Sequence, residues 1–367
     1  ESRPGRVEEP PEAHDREVFT GDHRHRDREQ RSDEEPSHPA RDALAAVRRG
    51  PAPCPRRLRF RFLGHTTDRS PGGKYRPAAT AGAETHNALL SGSRFSDMRA
   101  TVVGSGYVGT TLAACLADAG HDVTAIDIDS DVVAAINDGH AAIHEPGLDD
   151  LLAEHAGDRL RATTAYDSVR DADVTFLAIG TPSNDDGSID LGALTAAAEM
   201  TGEALKAADG DDRHLVVVKS TITPPGVRAV REALEAGAGD AADRVELATN
   251  PEFLREGSAV DDFQHPDKLV FGAESDWATE RLERLYEPLV AAADTDVSVI
   301  RTDPETAVMI KYGNNAFLAS KISLANDLGN ICKQFGIDAY EVMDAVGLDD
   351  RIGAKFLRSG VGWGGSC

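Results

Sequence analysis

From Met98 onward the sequence predicts an α/β fold: a doubly wound parallel sheet with helices on both faces, then a long central helix and a shorter helical region. Three observations predict it. Short apolar runs alternate with helical stretches, the pattern of units that build parallel sheets. The segment VVGSGYVG at 102–109 joins a strand to a helix through the spacing GxGxxG. Beyond RTDPETAV at 301–308 the strand-like runs stop, and apolar residues recur at a helical period.

Taken in order, Arg99–Gly104 is the first apolar run, Tyr107–Ala119 reads as a helix, and Asp122–Asp127 is the second strand. Asp173–Ile179, His214–Lys219, Arg244–Thr249, Lys268–Phe271 and Val297–Ile300 follow as strand candidates. Strands covered on both faces read as continuous apolar runs, as several of these do. Asp303 can then cap a helix that has Pro304 at its first position. Ile310, Phe317, Leu324, Leu328, Ile331 and Phe335 keep the helical period, and nothing breaks it before Gly336. A helix over 304–335 is about 48 Å long, enough to span domains or support a dimer. The expected organisation is a dinucleotide-binding domain over 98–300 and a central helical dimerisation region over 301–367.

Residues 1–97 differ in kind. They are rich in Arg, Asp, Glu, His and Pro, as in HRHRDREQRSDEEPSHP, and have few periodic apolar residues. Such a composition buries too little surface to offset chain entropy. The expectation is a disordered tail or upstream sequence translated in frame, with a regulatory extension as the alternative.

Charge narrows the function classes. The chain carries a formal net charge of -24, with 18 basic and 16 acidic residues in 1–97 against 21 and 47 in 98–367. This excess of acid points to a halophilic protein, an ordinary acidic enzyme being the alternative. It disfavours nucleic acid and anionic membrane surfaces as partners. Cys54, Cys115, Cys332 and Cys367 form no CxxC pair. Their spacing argues against zinc or a disulfide framework and fits the reducing cytoplasm. No apolar run reaches membrane-spanning length.

Gly104, Gly106 and Gly109 sit where a dinucleotide fingerprint needs them: one for the turn, one for the approach of a pyrophosphate, one for helix–strand packing. Tyr107 and Val108 lie between them at the helix start. Asp127 ends the next strand, where a carboxylate bonds ribose hydroxyls and repels a 2′-phosphate. The cofactor expected is therefore NAD. Thr181 in AIGTP and Thr221 in VVKST follow strand ends, where open α/β sheets bind ligands; each can equally be a helix cap.

NPEFLREG places Glu252, Arg255 and Glu256 within five residues after another strand end. Two carboxylates beside an arginine can do base work and grip an anion, or form a solvated loop with a local ion pair. Lys311 and Asn315 lie four apart on the long helix and so share a face. Pointing into a pocket they can stabilise an oxyanion; exposed, they do nothing of the kind.

As a set and in this order, GSGYVG, GTPSN, KSTI, NPEFLREG, KYGNNAFLASKIS, DDRIG and GWGGSC resemble the UDP-glucose/GDP-mannose dehydrogenase family over essentially all of 98–367. The likeness is strongest to its UDP-glucose-oxidising archaeal members, haloarchaeal ones above all. The resemblance implies a Rossmann-type domain, a central helix that builds a homodimer, and a second Rossmann-like domain for the UDP end. It implies oxidation of a sugar primary alcohol to a carboxylate by two NAD+ in turn, with Cys367 as nucleophile. A bare aldehyde cannot release hydride, so a covalent adduct must first supply a tetrahedral carbon.

On the same resemblance, Lys311 and Asn315 stabilise oxyanions, Glu252 is a general base, Thr221 helps place a water, and Glu256 lies near the nicotinamide. Phe253, Leu254 and Arg255 line the sugar pocket, with Gly364 in the nucleophile loop. Arg351 reaches the substrate across a dimer, and Arg358 meets the diphosphate. Trp363 and Val132 depart from residues common in the family. The family also continues past the cysteine into its nucleotide-sugar domain, whereas the sequence ends at Cys367. A chain truncated there, without the UDP-binding domain, is expected. The alternatives are oxidation of GDP-mannose or UDP-N-acetylmannosamine, a non-catalytic NAD-binding and dimerisation module, and a hydroxyacid-type dehydrogenase of similar fold.

Overall fold

The computed structural model describes residues 97–362 except 209, 211, 294 and 295. The expectations for 1–96, Trp363, Gly364 and Cys367 lie outside the described residues. Eight strands form one sheet: β1 (Arg99–Val103), β2 (Asp122–Ile126), β3 (Leu160–Thr163), β4 (Val174–Leu177), β5 (His214–Val218), β6 (Val245–Thr249), β7 (Lys268–Gly272) and β8 (Ser298–Thr302). Their order is β3-β2-β1-β4-β5-β6-β7-β8. Strand order reverses between β1 and β4, which makes the crevice at their carboxyl ends the switch point where such sheets bind ligands.

The expected all-parallel sheet needs one correction. β1 to β6 are parallel, but β7 meets β6 antiparallel through Thr249 and Gly272, and β8 then runs parallel to β7. The reason lies in the link from β6 to β7. Its only helix, Ala259–Gln264, has six residues. That spans about 9 Å, too little to return alongside a five-residue strand of about 16 Å. The chain therefore re-enters the sheet from the end at which it left.

Helices cover both faces: α1 (Tyr107–Asp118), α2 (Ser130–Asn137), α3 (Leu148–His155), α4 (Gly192–Lys206), α5 (Pro224–Ala238), α6 (Ala259–Gln264) and α7 (Asp276–Ala292). Strand side chains alternate between two cores. Ala100, Val102, Phe176, Leu215 and Val217 pack with α1, α3, α6 and α7 on one face. Val103, Leu177, Val216 and Val218 pack with α4 and α5 on the other. Val132, which departs from the residue common in the family, packs against the first core.

The long helix α8 runs Pro304–Phe335, the span the periodicity predicts. Asp303 accepts from Thr306 N at 2.7 Å, Pro304 opens the helix, and Gly336 closes it in a left-handed conformation at φ 66°. Helix α9 (Ala339–Gly347) folds back on it around Ala325, Met343 and Leu357. Much of the apolar side of α8 stays bare: Phe317 is 80% exposed, Leu324 59% and Ile331 50%. With Ile310 these residues recur every seven positions, the repeat of a helix seam. Among the described residues no helix is long and apolar enough to cross a membrane.

Candidate active site

The glycine turn lies at the carboxyl end of β1. Gly104 has φ +93°, and a Cβ there would lie 2.7 Å from Ala178 O. A Cβ on Gly109 would come within 1.8 Å of Gly104 O. Both glycines are thus required by the fold itself. Gly106 is different: a Cβ there would meet nothing within 4 Å. Its bareness serves whatever approaches from outside, at the open N-terminus of α1, where no side chain caps the helix.

Two further features suit a dinucleotide. Ser105 Oγ is buried with no partner. Asp127, at the end of β2, accepts from Ser105 N at 2.6 Å and from Asp129 N at 3.0 Å, so its carboxylate braces the turn while keeping lone pairs to offer. Free N–H donors at a helix start suit a pyrophosphate, and an anchored carboxylate suits a ribose diol. Tyr107 and Val108 are half-buried beside this opening, and the next residue after Asp127, Ile128, is 90% exposed. An NAD molecule fits these donors and acceptors.

The next two strand ends are stitched together. Thr181 Oγ1 donates to Thr221 O at 2.8 Å, and Ser220 Oγ donates to Ile179 O at 2.7 Å. Thr181 and Thr221 are both part-buried. Neither is a helix cap: the N-caps of α4 and α5 are Leu191 and Thr223.

β6 delivers the charged centre. Glu252 Oε1 accepts from Lys311 Nζ at 2.7 Å, with side-chain exposures of only 7% and 6%. Glu252 Oε2 accepts from Leu254 N at 2.7 Å. Residues 59 positions apart are thus joined where the start of α8 passes the carboxyl end of β6. Asn315, one turn further on, is part-buried and accepts from Asn314 at 3.5 Å; Asn314 in turn accepts from Lys268 Nζ at 3.5 Å. Lys268 lies 4.0 Å and Lys311 5.5 Å from the centre of the Phe253 ring.

Below them Lys219, at the end of β5, donates to Asn250 Oδ1 at 2.9 Å and approaches Tyr286 Oη at 3.4 Å. Tyr286 donates to the same Asn250 oxygen at 2.6 Å, and Asn250 Nδ2 donates to Val270 O at 3.0 Å. Burial pushes the Lys219 ammonium down to about 7; Glu252 opposes the shift and Lys311 adds to it. The chain has only eight lysines, and three of them, Lys219, Lys268 and Lys311, gather here.

One grouping suggested by the sequence does not form. Arg255 does not partner Glu252 or Glu256. Its guanidinium grips Asp262 on α6, with Nε 3.0 and 3.1 Å from the two carboxylate oxygens, because the loop turns its tip onto that helix. Leu254 packs against the first core. Arg351 bonds Asp349 at 2.6 Å and Arg358 bonds Asp344 at 2.8 Å, both on the surface, and neither joins the Glu252–Lys311 pair in this chain. Glu256 is exposed. Two buried residues were missed by the sequence reading. Lys219 was signalled by a lysine closing an apolar strand, and Glu145 by an acid in the apolar setting IHEPGL.

A cavity of about 500 Å³ lined by Arg99, Arg213, Trp277 and Arg281 lies at the amino ends of the strands, away from the switch point. Among the described residues no group of three His, Cys, Asp or Glu side chains is placed to hold a metal ion. Cys115 and Cys332 are buried free thiols, and burial pushes Cys115 up to about 12, which leaves it inert.

Comparison with known proteins agrees with this geometry. Residues 98–290 match the NAD binding domain of the UDP-glucose/GDP-mannose dehydrogenase family, and residues 305–367 match that family's central domain. The UDP-glucose 6-dehydrogenase AglM of Haloferax volcanii is 58% identical over 272 residues, covering 74% of this chain and 63% of that one. The UDP-glucose 6-dehydrogenase TuaD of Bacillus subtilis is 40% identical over 268 residues, covering 72% and 56%. A UDP-glucose dehydrogenase from Pyrobaculum islandicum superposes with a TM-score of 0.69 at 39% identity, covering 76% of this chain and 62% of that one. The GDP-mannose dehydrogenase of Pseudomonas aeruginosa superposes at 0.64 with 37% identity, covering 74% and 62%. The chain thus spans less than two thirds of the length of each of these relatives.

Proposed function

The chain belongs to the UDP-glucose/GDP-mannose dehydrogenase family, and from that premise we propose that it serves the NAD-dependent oxidation of the C6 alcohol of UDP-glucose to the carboxylate. The observation that carries the reading is the buried Glu252–Lys311 pair at the carboxyl end of β6, on the same sheet edge as the open glycine turn. UDP-glucose is preferred over GDP-mannose because the UDP-glucose 6-dehydrogenase AglM is 58% identical over 272 aligned residues, whereas a GDP-mannose 6-dehydrogenase of Pseudomonas aeruginosa is 38% identical over 276.

Bound NAD+ supplies the hydride acceptor for both oxidations. Gly106, Tyr107 and Val108 present backbone N–H groups to its pyrophosphate, and Asp127 holds a ribose diol. Ile128 gives the adenine an apolar surface. Thr181 and Thr221 line the nicotinamide end, near Glu256. As the alcohol gives its hydroxyl proton to water and its hydride to the cofactor, Lys311, held in place by Glu252, would donate to the oxygen, and later to the oxyanion of the Cys367 adduct; Asn315 would donate beside it. Cys367 adds through its thiolate to the aldehyde carbon, and the second hydride leaves from that tetrahedral carbon. Glu252 takes a proton from the water that releases the thioester as a carboxylate, with Thr221 orienting that water.

Phe253 and the Lys268 ammonium form one wall of the sugar pocket. Arg351 serves the substrate from the partner subunit of a homodimer built on the bare seam of α8, and Arg358 meets the diphosphate. The acidic surface suits a halophilic, cytoplasmic enzyme that supplies a sugar acid for polysaccharide biosynthesis.

The test is a rate comparison among UDP-glucose, GDP-mannose and UDP-N-acetylmannosamine, following NADH. Turnover of UDP-glucose at least tenfold faster than the others is expected. Faster turnover of either rival sugar sinks the substrate assignment. C367S is expected to stop oxidation short of the acid.

A further inference from the structure

Glu145 lies in the connection between α2 and α3, yet it is only 4% exposed. Among the described residues its carboxylate makes no ion pair. Instead Oε1 accepts from Ala259 N at 2.7 Å, and Oε2 accepts from Gly257 N at 2.9 Å and from the Tyr107 hydroxyl. The same hydroxyl lies 3.3 Å from Arg255 O. A buried carboxylate is costly unless its lone pairs are filled, so these donors are held firmly by charge-assisted bonds.

The partners sit at two separate parts of the site. Tyr107 is the first residue of α1, directly after Gly106. Gly257 follows Glu256, and Ala259 opens α6. One buried carboxylate therefore ties the residue after the glycine turn to the far end of the NPEFLREG loop. Residues 255–257 are exposed, and their other described restraints are local: Arg255 holds Asp262 on α6, and Ser258 N donates to Arg255 O at 3.0 Å. The Glu145 bonds are what reach from this loop to α1.

We propose that Glu145 is a positioning residue that couples occupancy of the dinucleotide site to the order of the 252–258 loop. The proposal rests on the NAD-binding reading above. A dinucleotide on the backbone of Gly106 and Tyr107 fixes the start of α1 and with it the Tyr107 hydroxyl. Through Glu145 that fixes Gly257 and its neighbour Glu256. The coupling is reciprocal: a ligand that orders the loop tightens dinucleotide binding by the same factor. The cofactor thus helps assemble the substrate side of the site before the sugar arrives.

The test is hydrogen exchange of 252–258 with and without saturating NAD, in the unsubstituted chain, Y107F and E145Q, alongside calorimetric NAD titration and thermal unfolding. Y107F keeps both amide bonds to Glu145 and removes only the link to α1. E145Q fails as a substitute, because in either orientation its amide NH2 faces the N–H of Gly257 or Ala259. In the unsubstituted chain NAD is expected to slow exchange of the loop by about tenfold. Y107F keeps the backbone N–H assigned to the pyrophosphate; it is expected to fold and to bind NAD more weakly by up to the same factor, and to lose most of that slowing. E145Q is expected to lose it too, with faster exchange even without NAD; should E145Q not fold, Y107F decides. Equal slowing in Y107F and the unsubstituted chain overturns the proposal. So does NAD binding with no slowing in the unsubstituted chain. Absence of NAD binding in the unsubstituted chain overturns the functional reading, and the proposal with it.

Discussion

Replacing Lys311 by Met strands the Glu252 carboxylate. It is 7% exposed, and after the change its only described donor is Leu254 N at 2.7 Å. Breaking a buried pair by removing one partner costs about 3–5 kcal/mol, because a charge is left uncompensated. For a domain of this size each kcal/mol moves the thermal midpoint by about 2–4 °C. K311M should therefore lower it by roughly 10 °C. E252Q should cost about as much, since it leaves the Lys311 ammonium buried without its anion. The double variant K311M/E252Q holds no buried charge at this point and should recover most of the loss. A double-mutant cycle from urea unfolding, two losses of about 4 kcal/mol set against a double variant that loses far less, should then report a coupling of about 4 kcal/mol or more. A coupling below about 0.5 kcal/mol, the size found for exposed pairs, would refute the argument that the pair is desolvated and interdependent.

Other outcomes follow from the same structure. G106A should fold with an unchanged midpoint but bind NAD at least about tenfold more weakly, whereas G109A should lose about 3 kcal/mol or more of stability; calorimetry and thermal scans separate the two. Burial lowers Lys219 from 10.5 to about 7, so between those values the unfolded chain binds a proton that the folded chain does not. Stability should thus rise with pH from about 7 to 9, by up to ~1.4 kcal/mol per unit, and K219M should flatten the rise in pH-dependent unfolding. His214 is buried and pushed down to about 4 from 6.5, so stability should fall as pH drops through that window; H214Q should lessen the fall. L324D, in the bare seam of α8, should abolish the homodimer proposed above, leaving a monomer by light scattering.

Much of the fold was legible because its signals are local. The capped, glycine-terminated helix over 304–335 needs only Asp303, Pro304, Gly336 and a sustained period. The seven strands read from the sequence shift by no more than two residues at either end. β3 escaped notice because Leu160–Thr163 is a four-residue edge strand with one buried residue. The antiparallel junction escaped because direction is set by the length of the connection, which composition does not report.

The site was legible in its parts and not in its pairings. Glu252, Arg255 and Glu256 share one loop, and a sequence suggests that neighbours pair. The structure instead joins Glu252 to a lysine on α8 and Arg255 to Asp262. Lys219 and Glu145 went unread because their importance comes from burial and long-range partners, 31 and 114 residues away.

The central claim is a four-electron oxidation at C6 of a UDP-linked glucose. Counting NADH formed per UDP-glucose consumed tests it most directly. Two NADH per sugar, with UDP-glucuronate as the product, is the predicted result. One NADH per sugar with aldehyde released, or no consumption of UDP-glucose while GDP-mannose is oxidised, would contradict it.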